Sequence, residues 1–247
     1  MEVIAGVEAL RPANGRLFIV IGVFDGLHLG HAYLLHHLVT EARERDARPT
    51  VITFDAHPDE VLTGSAPPLL LHPDERLERL DAAGVEVTVV QHFDDAVRRT
   101  PYDAFVGAIA DRVDLAGFLM TPDAAFGFER RGTPETVSAL GRRDGFDVVV
   151  VPPFTLDGRP VRSSDIRAAI ARGDLADAAA LLGRPVALRG EAGDGSVVFE
   201  WPMALPPDGT YPCRVEGERT ALVIADGDVR LADEPRVPGR VEVTLEP

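Results

Sequence analysis

The chain has 247 residues, 45% hydrophobic and 26% charged, with one cysteine, Cys213, and a net charge of −15. A chain of this length can bury about 70–75% of its unfolded surface without staples, and one thiol makes neither an internal disulfide nor a cysteine metal cage, which fits a reducing cytoplasm. The acidic balance argues against general nucleic-acid binding, and all 25 basic residues being arginine excludes a phosphate-loop lysine or a Schiff-base lysine.

In chain order, residues 17–23 read as a buried strand, apolar and branched, between Gly15 and Asp25-Gly26. From Leu29 to about Arg45, Leu34, Leu35, Leu38, Val39 and Ala42 recur at helical spacing. Residues 50–54 form a second strand. Pro73-Asp74-Glu75 opens a helix that stops at Gly84, with proline and acids in the first turn and glycine past the end. Val85–Val90 is a third strand, and Thr100-Pro101 starts a helix running to about Val113. Leu115–Met120 is a fourth strand, Pro134–Arg143 a helix and Phe146–Val151 a fifth strand. Ser163–Arg172 and Leu175–Leu182 are short helices separated by Gly173-Asp174.

Five alternations of strand and helix predict an α/β fold, a five-stranded parallel sheet covered on both faces. After Pro185 the texture changes to short alternating segments, 196–199, 211–215, 220–224 and 241–245, split by glycine, proline and aspartate. This predicts a small antiparallel β domain. The expected domains are therefore 1–185 and 186–247. The apolar runs at 17–23 and 148–151 are far short of the ~20 residues that cross a bilayer. The N-terminus lacks the charge-then-apolar pattern of a signal peptide, so a cytoplasmic protein is expected. The oligomeric state is left open.

Gly22-Val23-Phe24-Asp25-Gly26-Leu27-His28-Leu29-Gly30-His31 leads from the first strand into a helix. Ligands of open parallel sheets collect at the carboxyl ends of strands, and a helix start offers free N–H groups and a positive dipole end to phosphate. Gly26 and Gly30 allow close approach, and two histidines three apart can donate to one anion. After the fifth strand, Ser163 or Ser164 can cap a helix. Arg167 in its first turn offers a planar fork matched to phosphate oxygens.

The first segment resembles the HxGH signature of the nucleotidyltransferases. Further segments are similar to the bacterial FAD synthetases, which join FMN adenylyltransferase and riboflavin kinase in one chain. Thr53-Phe54-Asp55-Ala56-His57-Pro58 resembles that family's TFDPHP segment beside the flavin, with Ala56 in place of proline. The other reading of His57 is a loop-capping residue. Thr121-Pro122-Asp123-Ala124-Ala125-Phe126-Gly127 is similar to a stretch near the metal and flavin phosphate, with Ala124 in place of an aromatic residue. Phe126 reads equally as core packing. Arg162-Ser163-Ser164-Asp165-Ile166-Arg167 resembles the family's serine–threonine–arginine motif, and Leu181-Leu182-Gly183-Arg184-Pro185 adds to the match.

The resemblance implies a Rossmann-like nucleotidyltransferase domain that transfers AMP from ATP to FMN. It implies His28, His31, Arg167 and Ser163 as catalytic residues, and Gly22, Phe24, Asp25, Gly30 and Ser164 around ATP. Phe54, Asp55, His57, Pro58, Asp123, Phe126 and Arg130 would lie around FMN, with Mg²⁺ near Asp123. The expected partners are the small molecules ATP and FMN, with no nucleic acid and no membrane. In the tail, Pro206-Pro207-Asp208-Gly209-Thr210-Tyr211 is similar to a turn of the kinase barrel. Met203 and Leu205 stand where the kinase carries a threonine and an asparagine that hold metal and nucleotide. Neither replacement suits a hard cation, which takes oxygen ligands. Glu242 is the counterpart of the kinase's glutamate. The expectation is a shortened, inactive kinase-like domain. Three alternatives stay open: a bifunctional enzyme, a nucleotidyltransferase with another acceptor or nucleotide, and a non-catalytic flavin or nucleotide binder.

Overall fold

The computed structural model describes residues 1–233 and 239–246. They divide into two compact units. The first holds residues 1–24, 31–67 and 77–154, the second residues 25–30, 68–76 and 155 onward.

The first unit is built on a six-stranded sheet: β1 (Glu2–Ala5), β2 (Arg16–Ile21), β3 (Arg48–Phe54), β4 (Val87–Gln91), β5 (Asp114–Met120) and β6 (Asp147–Val150). Its order is β1-β4-β3-β2-β5-β6, and every pairing is parallel. Leu17, Phe18, Ile19 and Val20 of β2 are all buried, the mark of a strand covered on both faces. The sheet has one strand more than the sequence pattern predicts. The extra strand, β1, lies at the edge, is four residues long and buries only Ile4, so it carries almost no periodicity to detect.

Helix α1 (Leu29–Glu44) buries Leu35, Leu38, Val39 and Ala42 of the expected stripe and leaves Leu34 half-buried at its margin. Helix α2 (Pro58–Thr63) follows β3, and α3 (Pro73–Ala82) precedes β4. They are followed by α4 (Asp95–Arg99), α5 (Tyr102–Ala110) and α6 (Pro134–Asp144). The sequence pattern does not predict α2 or α4; each is only five or six residues long, and the caps His57 and Asp94 are their main signal. Leu17, Ile19, Ile52, Val89, Phe105, Ile109, Phe118 and Val137 belong to one apolar cluster.

The second unit begins its main segment with a hairpin, β7 (Thr155–Leu156) and β8 (Arg159–Pro160), then α7 (Ser163–Ala171) and α8 (Leu175–Leu182). Six antiparallel strands follow: β9 (Ala187–Gly193), β10 (Ser196–Val198), β11 (Gly209–Val215), β12 (Glu218–Ala225), β13 (Asp228–Leu231) and β14 (Gly239–Leu245). They close into a barrel in the order β10-β13-β12-β11-β14-β9. Val241, Val243 and Leu245 are buried and alternate with Glu242 and Thr244, the period of a strand with one face inward.

Two-residue loops fix the registers. Asp157-Gly158, Asp194-Gly195, Glu216-Gly217 and Asp226-Gly227 each have positive φ at both positions, and each joins adjacent paired strands. Such turns match the right-handed twist of a hairpin, and glycine takes the second position without a Cβ penalty. Among the described residues, no helix is long and apolar enough to cross a membrane.

Candidate active site

In the second unit, the turn of residues 25–28 is tied to α7, to the stretch around Leu70 and to the end of α8. Asp25 is 4% exposed. Its carboxylate accepts from the Leu70 N–H at 3.0 and 3.1 Å and from Arg167 Nη2 at 2.5 Å. Burial pushes the Asp25 carboxyl above its ordinary value, against the opposing pull of Arg167, the Leu70 amide and Arg76. Arg167 Nε donates to the Pro68 carbonyl at 2.8 Å. Ser163 Oγ donates to the Asp25 carbonyl at 2.9 Å.

The serine therefore does not cap α7, contrary to the sequence reading. The cap position is Arg162, in extended conformation and without a side-chain cap bond. Ser163 is already the first helical residue, and its hydroxyl fastens the Asp25 turn instead. Ser164 beside it is exposed.

His28 is 5% exposed. Burial, then the charges of Arg184 and Arg167, hold its imidazole down to about 4, so it is neutral at pH 7. A neutral imidazole still donates one N–H. Gly30 leaves room for that ring: a Cβ there would lie 3.1 Å from His28 Cε1 and Nδ1 and 3.2 Å from the Val161 carbonyl.

The first unit carries the other predicted residues. His31 lies in the first turn of α1, its ring 5.1 Å from that of buried Phe24 and tilted by 48°. A Cβ at Gly22 would come to 3.0 Å from the Phe24 ring. At the carboxyl ends of β3 and β4, Asp55 Oδ2 meets His92 Nδ1 at 2.6 Å, and Asp55 Oδ1 accepts from the Ala56 and Phe93 amides. Burial opposes ionisation of Asp55, but His92 and the two amides together hold its carboxyl below the ordinary value. The hydrogen bond to Asp55 raises the His92 imidazole in turn. The Phe54 and Phe93 rings pack edge to face, 5.3 Å apart.

His57 Nδ1 accepts from the Asp59 N–H at 3.2 Å, which makes His57 the cap of α2 and leaves the proton of the neutral ring on Nε2. Pro58 opens that helix. Asp123 is exposed and accepts from Thr121 Oγ1 at 2.8 Å. Arg130 is exposed and reaches the Asp123 carbonyl at 3.4 Å. Phe126 packs 6.0 Å from Phe118 and 6.1 Å from Phe105, against the apolar cluster.

The structure thus gathers His28, Asp25, Gly30, Ser163 and Arg167 in one unit and places Phe54, Asp55 and His57 at and just past the carboxyl end of β3 in the other. Sequence reasoning missed three residues. His92 and Phe93 directly follow a predicted strand, and the strand-end rule could have found them. Arg184 was seen only as part of a motif, although its guanidinium reaches the Gly26 and Leu27 carbonyls at 2.7 and 3.2 Å.

The family model described as FAD synthetase matches residues 10–165, more than half of the chain. This chain belongs to the FAD synthetase family. The matched span includes the Asp25 turn, both histidines of the HxGH segment and Ser163. A relative from Haemophilus influenzae, named bifunctional riboflavin kinase/FMN adenylyltransferase, is 31% identical over 198 residues, covering 79% of this chain and 64% of that protein. Relatives of the same name from Escherichia coli K12 and Pseudomonas fluorescens are 32% and 30% identical, with 63% and 61% of their lengths covered. The chain therefore spans under two thirds of the length of these relatives. A solved structure described as a macrolide-efflux protein from Streptococcus pneumoniae matches with a TM-score of 0.84 at 24% identity, covering 99% of this chain and 90% of that one. That likeness is one of fold. The FAD synthetase segment ends at residue 165, so Arg167, Arg184 and the barrel lie beyond it.

Proposed function

We propose that this FAD synthetase family member transfers the adenylyl group of ATP to the phosphate of FMN, giving FAD and pyrophosphate. An FMN phosphate oxygen forms a bond to the α-phosphorus of ATP. The bond from that phosphorus to the bridging oxygen breaks, and pyrophosphate leaves with the electron pair. No protein nucleophile enters the balance, so catalysis is positioning and stabilisation of charge on the phosphoryl oxygens.

The observation that carries this reading is the turn of residues 25–28, pinned by Arg167 and Arg184 with the buried His28 in their field. His28 is the first imidazole donor to the ATP phosphates and His31 the second. Gly22, Phe24, Gly30 and Ser164 are the other ATP-side residues of the proposal, and Asp25 anchors the turn they flank. On the FMN side, Phe54, Asp55, His57, Pro58, Phe126 and Arg130 are assigned to the acceptor. Among the described residues there is no group of three or more histidine, cysteine or acidic side chains suited to a metal. One open carboxylate, Asp123, fits a Mg²⁺ that travels with ATP and keeps its waters. When bound, the ion would offset charge on the phosphate oxygens.

In the barrel, Met203 and Ala204 are 7% and 5% exposed, and this segment bonds to Leu69 through Leu69 N–H to Pro202 O and Ala204 N–H to Leu69 O. Glu242 pairs across the strands with Arg189 at 2.8 Å. Both features support a structural barrel without riboflavin kinase activity.

The test is incubation with FMN plus ATP, FMN plus CTP and riboflavin plus ATP, with products separated by chromatography. FAD is expected only from the first, and no FMN from the third. Removing one charge-stabilising donor costs about 10²–10³ in rate, so His28→Ala is expected to fall by that factor. Near-normal turnover in His28→Ala would remove the histidine from the mechanism.

A further inference from the structure

Arg184 follows Gly183, which closes α8 in the left-handed conformation at φ 75°. From there its guanidinium reaches back to residues more than 150 positions earlier in the chain. Nη2 donates to the Gly26 carbonyl at 2.7 Å, and Nη1 to the Leu27 carbonyl at 3.2 Å. Those two carbonyls belong to a strained stretch, with Gly26 at φ 85° and Leu27 at φ 39°. A leucine rarely takes that region and persists there only where its surroundings enforce it. Arg167 reaches the same turn from α7 by a different route, through the Asp25 side chain and the Pro68 carbonyl. One guanidinium holds the turn by a carboxylate and the other by its main chain. His28 is the next residue.

We propose that Arg184 is a positioning residue for this turn: its fork on the Gly26 and Leu27 carbonyls sets the backbone that presents His28, and its fixed charge lies beside the imidazole. The triphosphate that His28 would meet is that of the adenylyl-transfer reading, on which this role in turnover rests. The charged groups acting on His28 are Arg184 and Arg167, with Asp25 bonded to Arg167. Arg76 acts in turn on Asp25. Before an anion arrives, burial first and the two arginines after it hold the imidazole neutral. An arriving triphosphate offsets their charge and would meet the N–H of the neutral ring. Arginine suits both tasks, because it stays charged and presents a planar fork. Lysine would keep the charge and lose the fork.

The experiment compares Arg184→Gln and Arg184→Lys in the full chain. The His28 ring is followed by NMR titration without substrates, its signal assigned by its absence in His28→Gln. FAD formation from FMN and ATP is measured alongside. In Arg184→Gln the His28 midpoint is expected to rise from about 4 by about one pH unit. Its kcat/KM for ATP should fall about tenfold, as expected for a misplaced reacting group. Arg184→Lys should leave the midpoint near 4 and still lose activity. An unchanged midpoint in folded Arg184→Gln overturns the electrostatic half, and full activity in Arg184→Lys overturns the fork. Should Arg184→Gln fail to fold, the lysine variant decides alone: a midpoint near 4 with reduced activity supports the proposal, and full activity overturns it. A wild-type chain that makes no FAD defeats the adenylyl-transfer reading, while the titration still reports on Arg184.

Discussion

His28 is expected to leave a mark on stability as well as on turnover. Its folded imidazole titrates at about 4, against an ordinary value of 6.5. Above pH 6.5 the folded and unfolded rings are both neutral, and the group makes no difference. As pH falls below 6.5 the unfolded chain takes up the proton first, so stability is lost progressively until about pH 4. At about 1.4 kcal/mol per pH unit, the full loss is about 3 kcal/mol. Asp25 acts in the opposite sense at the acid end, because its raised carboxyl gains a proton in the folded state first. The comparison that isolates the histidine is urea unfolding of wild type and His28→Gln between pH 7.5 and 4.5. The variant should show a flatter decline, and parallel curves would mean that the ring is solvated in the fold. At a single residue, then, the same burial that discharges His28 leaves it the neutral N–H donor that the proposed phosphate contact requires.

At the start of α1, Gly30 faces a contest between helix propensity and space. Alanine in place of glycine inside a helix normally gains up to about 1 kcal/mol. Here the new Cβ would meet the His28 ring at 3.1 Å and the Val161 carbonyl at 3.2 Å, so one of them must give way. Gly30→Ala is therefore expected to unfold within a few degrees of wild type but to make FAD about tenfold more slowly or worse, because a small displacement of a reacting group is costly. Full activity with unchanged thermal unfolding would show that the ring has room to move. Much of this element was legible from sequence: the stripe of α1, its start at Leu29 and the glycines before it follow from spacing and strand–helix order. The sequence pattern predicts an antiparallel tail but not the hairpins that the four X-Gly turns close. What stayed hidden was tertiary. Nothing local distinguishes a serine that caps its own helix from Ser163, which bonds a carbonyl 138 residues away. Nor does anything local tell a surface arginine from Arg184. β1 was hidden for another reason, being an edge strand with a single buried side chain.

Across the whole molecule, 40 acidic and 25 basic residues set a repulsive field against the two anionic substrates of the proposed reaction. The short-range partners oppose that field. Arg167 and Arg184 lie at the Asp25 turn, and the Arg167 side chain is only 16% exposed. The two contributions differ in range, and salt separates them. At about 10 mM the Debye length is about 30 Å, so an arriving nucleotide feels the net charge; at about 150 mM it is about 8 Å, and buried contacts are screened much less. Raising salt should therefore weaken the repulsion more than the grip, contrary to the usual loss of affinity when a basic surface binds an anion. We expect kcat/KM for ATP to rise about two- to threefold between these concentrations, at fixed free Mg²⁺, within the range that steering fields produce. The rise should be larger in Arg167→Gln, where the local attraction is cut and the acidic field is left more nearly alone. A steady fall in kcat/KM with salt would mean that the cations at the turn dominate the approach of ATP and that the acidic surface is too distant to be felt.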